Sequence, residues 1–323
     1  MARSTYKLPI TEADSTLISI KRKNRELTPW GLTWRRFCTH RMALLSGFVL
    51  ATLIILAFAA PAVESLSVHN SFSVDLLNRF ATPSPAHVLG TDELGRDVFL
   101  RMLHGGRVSL LVGLTTAALS AIFGIAIGIP AGYFGGWLDT ALMRITDSVI
   151  ALPLLPLLIV LAAVDLTKLG IEPTVAYTPE ISLYRIILII ALVGWTTVAR
   201  LVRGTALSLR QRDFVLASIS QGASHTRIMF RHILPNSISP ILVATTLSVG
   251  NIILLESVLS FLGLGIQPPM PSWGNMLTNA QELIYEAPML AVWPGLAIFT
   301  TVVAFNFLGD GLQDAFDPKA STH

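Results

Sequence analysis

Any chemistry in this chain would have to come from seven histidines, twenty carboxylates and one cysteine. They are not arranged for it. His40, His69, His87, His104, His225, His232 and His323 all lie outside the strongly apolar stretches. No His-Glu-x-x-His array or Gly-x-Ser-x-Gly elbow sets a base beside a metal or a nucleophile. Cys38 alone can form neither an internal disulfide nor a thiolate zinc cage, so no metal site is expected. No glycine loop ending Gly-Lys-Ser/Thr is present to cradle phosphates. The expectation is a non-catalytic chain that binds no cofactor of its own. If ATP drives it, another chain must bind the nucleotide.

Charged groups near the apolar stretches are few. Arg144 and Asp147 stand three apart and can pair on one helix face, and Glu256 ends the fifth stretch. No series of carboxylates or histidines runs through mid-depth, as ion-coupled carriers usually require. An ion-coupled secondary carrier or channel acting without an ATPase is therefore the alternative reading; it predicts uptake by the isolated chain.

The elements that carry these residues follow from composition. Of 323 residues, 52% are hydrophobic and 13% charged, against about 25% charged in soluble proteins. Six runs approach the roughly 20 apolar residues needed to cross a bilayer. They are Met42–Pro61, Val108–Ala131, Ala141–Val164, Ile181–Leu201, Ile238–Glu256 and Met289–Leu308. The sequence therefore predicts an all-α membrane protein of six transmembrane helices. The first run reads as an uncleaved signal anchor, because a basic tail of about 40 residues precedes it. The fourth is the weakest, with its uncharged core confined between Arg185 and Arg200. Charge decides in its favour. The N-terminal tail (Arg3, Lys7, Lys21, Arg22, Lys23, Arg25, Arg35, Arg36 and Arg41) and the 200–231 stretch (Arg200, Arg203, Arg210, Arg212, Arg227 and Arg231) are both basic. Both belong in the cytoplasm, so an even number of crossings must separate them. Both termini then lie in the cytoplasm. The organisation expected is a tail with a lipid-interfacial helix (1–41), a transmembrane domain (42–308) and a short C-terminal tail (309–323).

Two local patterns concern packing. Gly124, Gly128 and Gly132 recur every four residues, the spacing that lets helix backbones approach closely in lipid. Pro130, Pro153 and Pro156 predict kinks or helix ends.

The stretch at about 204–235 is the most informative. Asp213 suits an N-cap for a helix from Phe214 to about Gln221, and Gly222 can end it. A second short helix carrying Arg227, Ile228, Met229 and Phe230 would run to Pro235, which fits the first turn of the fifth span. Small residues Ala217, Ser218, Gly222 and Ala223 crowd the bend. Such a unit suits insertion into a groove on a partner, and equally an amphipathic loop at the membrane surface.

This stretch resembles the "EAA" coupling loop of ABC importer permeases, through Ala217, Ser218, Gly222, Leu234 and Pro235. Leu216 stands where that family has Glu, and Ser218 where it has a second Ala. The segments Leu89–Phe99 and Gly106–Leu110 are similar to a signature of dipeptide/oligopeptide/nickel permeases, in the C-type subunit. So are Ser260–Pro269, Pro271–Leu277 and Leu308–Pro318, the last with Gln313 where Arg is usual. The resemblance implies the type I ABC importer permease fold in a bacterial inner membrane. It implies a heterodimer with a second homologous permease, two ATP-binding cassette subunits carrying ATP and Mg, an external solute-binding protein and surrounding lipid, with no nucleic acid. ATPase coupling would fall to Asp213, Phe214, Ala217, Ser218, Gly222, Ala223, Arg227, Leu234 and Pro235. An outer gate or binding-protein contact would fall to Phe261, Gly263, Gly265 and Trp273.

Overall fold

The computed structural model describes residues 29–67 and 70–316. The basic residues before Thr28, His69, His323 and the Asp317-Pro318 end of the last motif lie outside the described residues. Among those described, ten helices of seven residues or more dominate and no multi-residue strand occurs. They are α1 (Pro29–Phe37), α2 (Arg41–Phe58), α3 (Ala60–Leu66), α4 (Val98–Phe134), α5 (Gly136–Ala151), α6 (Leu154–Ala162), α7 (Pro179–Leu209), α8 (Asp213–Ser220), α9 (His225–Phe261) and α10 (Met289–Phe316).

Five of them (α2, α4, α7, α9 and α10) are long and apolar enough to cross a membrane alone. The third predicted span is not one straight helix. Leu152 and Pro153 interrupt it, and α5 and α6 meet at 86°. At 1.5 Å per residue α5 is about 24 Å long and α6 about 14 Å, so neither crosses a core of about 30 Å by itself. Pro153 lacks an N–H and disfavours helical backbone at Leu152, which accounts for the break there. Pro156 sits in the first turn of α6, where no intrahelical donor is needed. Pro130, by contrast, ends nothing: α4 continues through it to Phe134.

The weak fourth run proves to be the core of α7, the span most enclosed by protein. Its most apolar window is 56% buried, against 22% for α2. Its hydropathy equals that of α9 and exceeds that of α10, so its weakness in the sequence lay only in the short uncharged core between Arg185 and Arg200. Its arginines have protein partners: Arg185 Nη2 approaches the Leu264 carbonyl at 3.5 Å, and Arg200 Nη2 meets Asp147 Oδ1 at 2.6 Å. Asp147 thus pairs across to α7 rather than with Arg144 along its own helix.

α4 and α7 form the spine of the bundle. A Cβ on Gly124 would stand 2.6 Å from Val198 Cβ, one on Gly128 2.6 Å from the Ala199 carbonyl, and one on Gly132 2.5 Å from the Arg203 carbonyl. Only glycine allows the two backbones this approach. α9 packs on α10 and α4, and α2 on α10. α1 lies against α10, with Trp34 exposed and stacked on Phe37 at 5.9 Å. The bundle therefore has two ends, one carrying α8 and Gly222, the other carrying the 262–279 loop with Trp273.

Candidate functional site

At the Gly222 end, α8 begins one residue earlier than the sequence pattern predicts. Arg212 holds the cap position without a side-chain cap, and Asp213 is the first helical residue. Its carboxylate there faces the positive end of the helix dipole instead of capping an N–H. Gly222 reverses the chain at φ +76°, a backbone region that L side chains disfavour, and a Cβ there would meet nothing within 4 Å. Ser224 then caps α9, its Oγ accepting from Arg227 N at 3.4 Å.

The second short helix does not stop at Pro235. It passes through a π turn at Met229–Ile233, where Leu234 N donates to the Met229 carbonyl, and becomes the fifth span. Pro235 lacks a donor and its ring would press on the carbonyl four residues back; a widened turn relieves both.

The bend is clamped from beneath. Val215, Ile228 and Ile233 are fully or nearly fully buried against Tyr133 and Ala206. Tyr133 Oη lies 2.8 Å from His225 Nδ1, and Arg210 Nη1 donates to the Tyr133 carbonyl at 3.0 Å. Arg203 grips Asp139 of α5 through two contacts, one of 2.7 Å. The ends of α4, α5 and α7 are thereby tied to the bend. Its far side shows Phe214, Leu216, Ile219 and Phe230 to solvent, all more than 40% exposed. Ala217 and Arg227 are also exposed, Ser218, Ala223 and Leu234 are half-buried, and Pro235 is exposed. A patch of exposed apolar side chains on a rigid base marks a contact surface.

The Trp273 end is built oppositely. Trp273 is 3% exposed. Its Nε1 donates to the Met102 carbonyl at 3.0 Å and its backbone N to Ser109 Oγ at 3.2 Å. A Cβ on Gly106 would stand 2.7 Å from the indole. Buried so, Trp273 offers no surface to a binding protein; it pins the loop onto α4. Ser109 Oγ in turn donates to Glu256 Oε2 at 3.2 Å, and Ser260 Oγ to Glu256 Oε1 at 2.7 Å. Ser260 Oγ also receives Ile266 N at 3.2 Å. Asn275 completes the turn, donating from Nδ2 to the Met270 and Ile266 carbonyls. Phe261 is half-buried, Gly265 is buried, and Gly263 is exposed at the tip. The loop is a packed turn with an exposed tip.

The 89–99 segment supports the same end. Asp92 Oδ1 accepts from Leu94 N and Arg96 N, both at 2.9 Å, and closes a tight turn. The helix starts after Asp97, whose Oδ1 caps Leu100 N at 2.9 Å while Oδ2 contacts His87 at 2.9 Å. Partners such as Glu64 with His104, or Glu256 with Ser109, lie 40 and 147 residues apart, and no local sequence signal joins them.

Between the two ends, α5, α6, α7 and α9 line a groove of about 850 Å³. It is apolar except for Thr196, Thr197, Arg200, Ser248 and Asn251. Among the described residues no cluster of histidine, cysteine or carboxylate is arranged to hold a metal.

Residues 124–322 match the family described as binding-protein-dependent transport system inner membrane component. The chain belongs to that family. Residues 28–79 match the N-terminal transmembrane domain of oligopeptide transport permease C. Among curated relatives, the glutathione transport system permease protein GsiD of Pectobacterium atrosepticum is 42% identical, over 90% of this chain and 92% of that one. The dipeptide transport system permease protein DppC of Alkalihalophilus pseudofirmus is 38% identical over 91% of each. A crystal structure of an amino acid ABC transporter with histidines aligns with a TM-score of 0.47 at 16% identity, covering 65% of this chain and 91% of the other. The chain is a multi-pass membrane permease subunit of an ABC importer, a class that works with ATPase and substrate-binding components.

Proposed function

We propose that this permease carries peptides of the dipeptide and glutathione class across the bacterial inner membrane, as half of a heterodimer with a second homologous permease. Two ATP-binding cassette subunits, holding ATP and Mg, dock on the Gly222 bend; this chain performs no hydrolysis. The observation that carries the proposal is that bend: apolar and exposed on one side, locked to the ends of α4, α5 and α7 on the other. The basic 200–231 stretch supports a cytoplasmic position for this end and for both termini. The Trp273 end then faces the binding protein, with Gly263 and Phe261 at the tip and Gly265 and Trp273 as its anchor. The 850 Å³ groove faces the second permease and lines the path.

ATP binding closes the cassettes and moves the bend, which tilts the helices clamped to it. Taking a gate from 1:99 to 99:1 requires roughly 5.5 kcal/mol of differential binding, and only a rigidly packed bend can pass that on. The test is purification of the tagged chain in mild detergent, with partners identified by mass spectrometry and ATP hydrolysis assayed. A second permease, cassettes and peptide-stimulated ATPase activity are expected. A lone, ATP-indifferent chain that takes up solute on an ion gradient overturns the proposal in favour of a secondary carrier.

A further inference from the structure

A second cavity, of about 300 Å³, lies at the Trp273 end between the start of α4, the end of α9, the 262–279 loop and the start of α10. It is separate from the groove: Ser260 lines this cavity and Val258 the other, on different faces of α9. Its walls are polar and apolar in about equal part, and Arg101, Arg96, Asp92 and Glu93 are all among them.

Arg101 is 6% exposed, and its Nη1 has no hydrogen-bond partner. Buried guanidinium donors are rarely left so. Asp92 does not satisfy it. That carboxylate already accepts from Leu94 N, Arg96 N and Arg96 Nε, the last at 2.7 Å, and stands 3.4 Å from Arg101 Nε. Glu93 is a third exposed and makes one long contact, 3.5 Å to Arg96 Nη2. One cavity is thus lined by a guanidinium that pairs with Asp92 through Nε but keeps Nη1 unpartnered, and by an under-used anion.

We infer that this cavity is a binding subsite for a small zwitterion, a dipeptide with free ends, its carboxylate on Arg101 and its ammonium on Glu93. The volume is at the low end for ligand pockets, which suits a dipeptide better than a longer peptide. The inference rests on the reading that the chain carries peptides. It adds a place on the permease itself, at the mouth of the bundle, where a peptide's two charged ends are read.

The experiment uses the complete transporter in nanodiscs, without its binding protein, and radiolabelled Ala-Ala as probe. Saturable binding is expected. N-acetyl-Ala-Ala, Ala-Ala amide and acetate should each compete about tenfold or more weakly, as befits loss of a charge-assisted contact. Glu93→Gln, at a partly exposed position, should weaken Ala-Ala and abolish its advantage over N-acetyl-Ala-Ala. Arg101→Lys should weaken Ala-Ala and N-acetyl-Ala-Ala alike. No Ala-Ala binding, or binding that Glu93→Gln leaves unchanged, overturns the subsite. So does Arg101→Lys weakening only the affinity for the binding protein, because the cavity would then receive an acidic side chain of that protein. Uptake of Ala-Ala with the binding protein restored separates the two readings: transport without binding here sinks the subsite alone, and binding without transport sinks the peptide-importer proposal alone.

Discussion

The two ends of the bundle use glycine and aromatic residues in opposite ways. At one end Gly222 turns the chain in open space, and Phe214 and Phe230 stand in solvent. At the other, Gly106 exists to admit the indole of Trp273, and Gly274 lies against the backbone of Ser257. One end leaves its apolar surface exposed; the other uses it internally to hold a loop in place. Residue type alone does not distinguish a docking surface from an anchor. What distinguishes them is whether the surroundings are already filled.

That contrast predicts which substitutions damage stability and which damage coupling. Trp273→Ala should destabilise most, by about 3–5 kcal/mol as for other buried aromatic truncations. A large drop in thermal unfolding temperature in detergent checks it; an unchanged temperature would mean the indole is not the anchor. Next, Gly128→Ala should cost about 1–3 kcal/mol, because it forces α4 from α7. The same melt measures it, and Gly204→Ala, where a Cβ meets nothing within 4 Å, is the control that should not move. Gly222→Asp should cost at most about 1–2 kcal/mol, since Asp tolerates positive φ better than most residues. Yet it should abolish transport while the protein still inserts in the membrane, because the added side chain enters the space a partner would fill. Uptake at the wild-type rate would remove the bend from the coupling path.

The smallest effect concerns pH. Burial alone would raise the carboxyl of Glu64, but hydrogen bonds from Ser71 N and Oγ, with His104 beside it, outweigh that and hold it below its ordinary value of 4.5. A depressed carboxylate stabilises the fold above the ordinary value, and the contribution is lost as pH falls through the depressed one. Acid should therefore lower the melting temperature less in Glu64→Gln than in the wild type; equal slopes would mean that the contact adds no stability.

Much of this was legible in the sequence, for reasons that differ by element. The Gly124–Gly132 spacing announced a close helix pair because backbone approach depends on local spacing. It did not name α7 as the partner. Charge counting recovered α7 where the short uncharged core between Arg185 and Arg200 left it weak. Pro153 signalled a break, but an 86° turn depends on what the two halves pack against. The bend was readable from Gly222 and Pro235, whereas its clamp, Tyr133 on His225, joins residues 92 apart and left no trace. Trp273 read as a gate because exposed loops and buried anchors draw on the same aromatic residues.

The π turn at Met229–Ile233 has a mechanical meaning. It places one extra residue between the Gly222 bend and the long shaft of α9, and one residue of helix is about 100° of rotation. The turn thus acts as a phase setting between a handle and a camshaft. It fixes which flank of α9, the one bearing Ser248 and Asn251, faces the groove. Removing a single residue there would leave the handle's shape intact and turn the shaft to the wrong quarter.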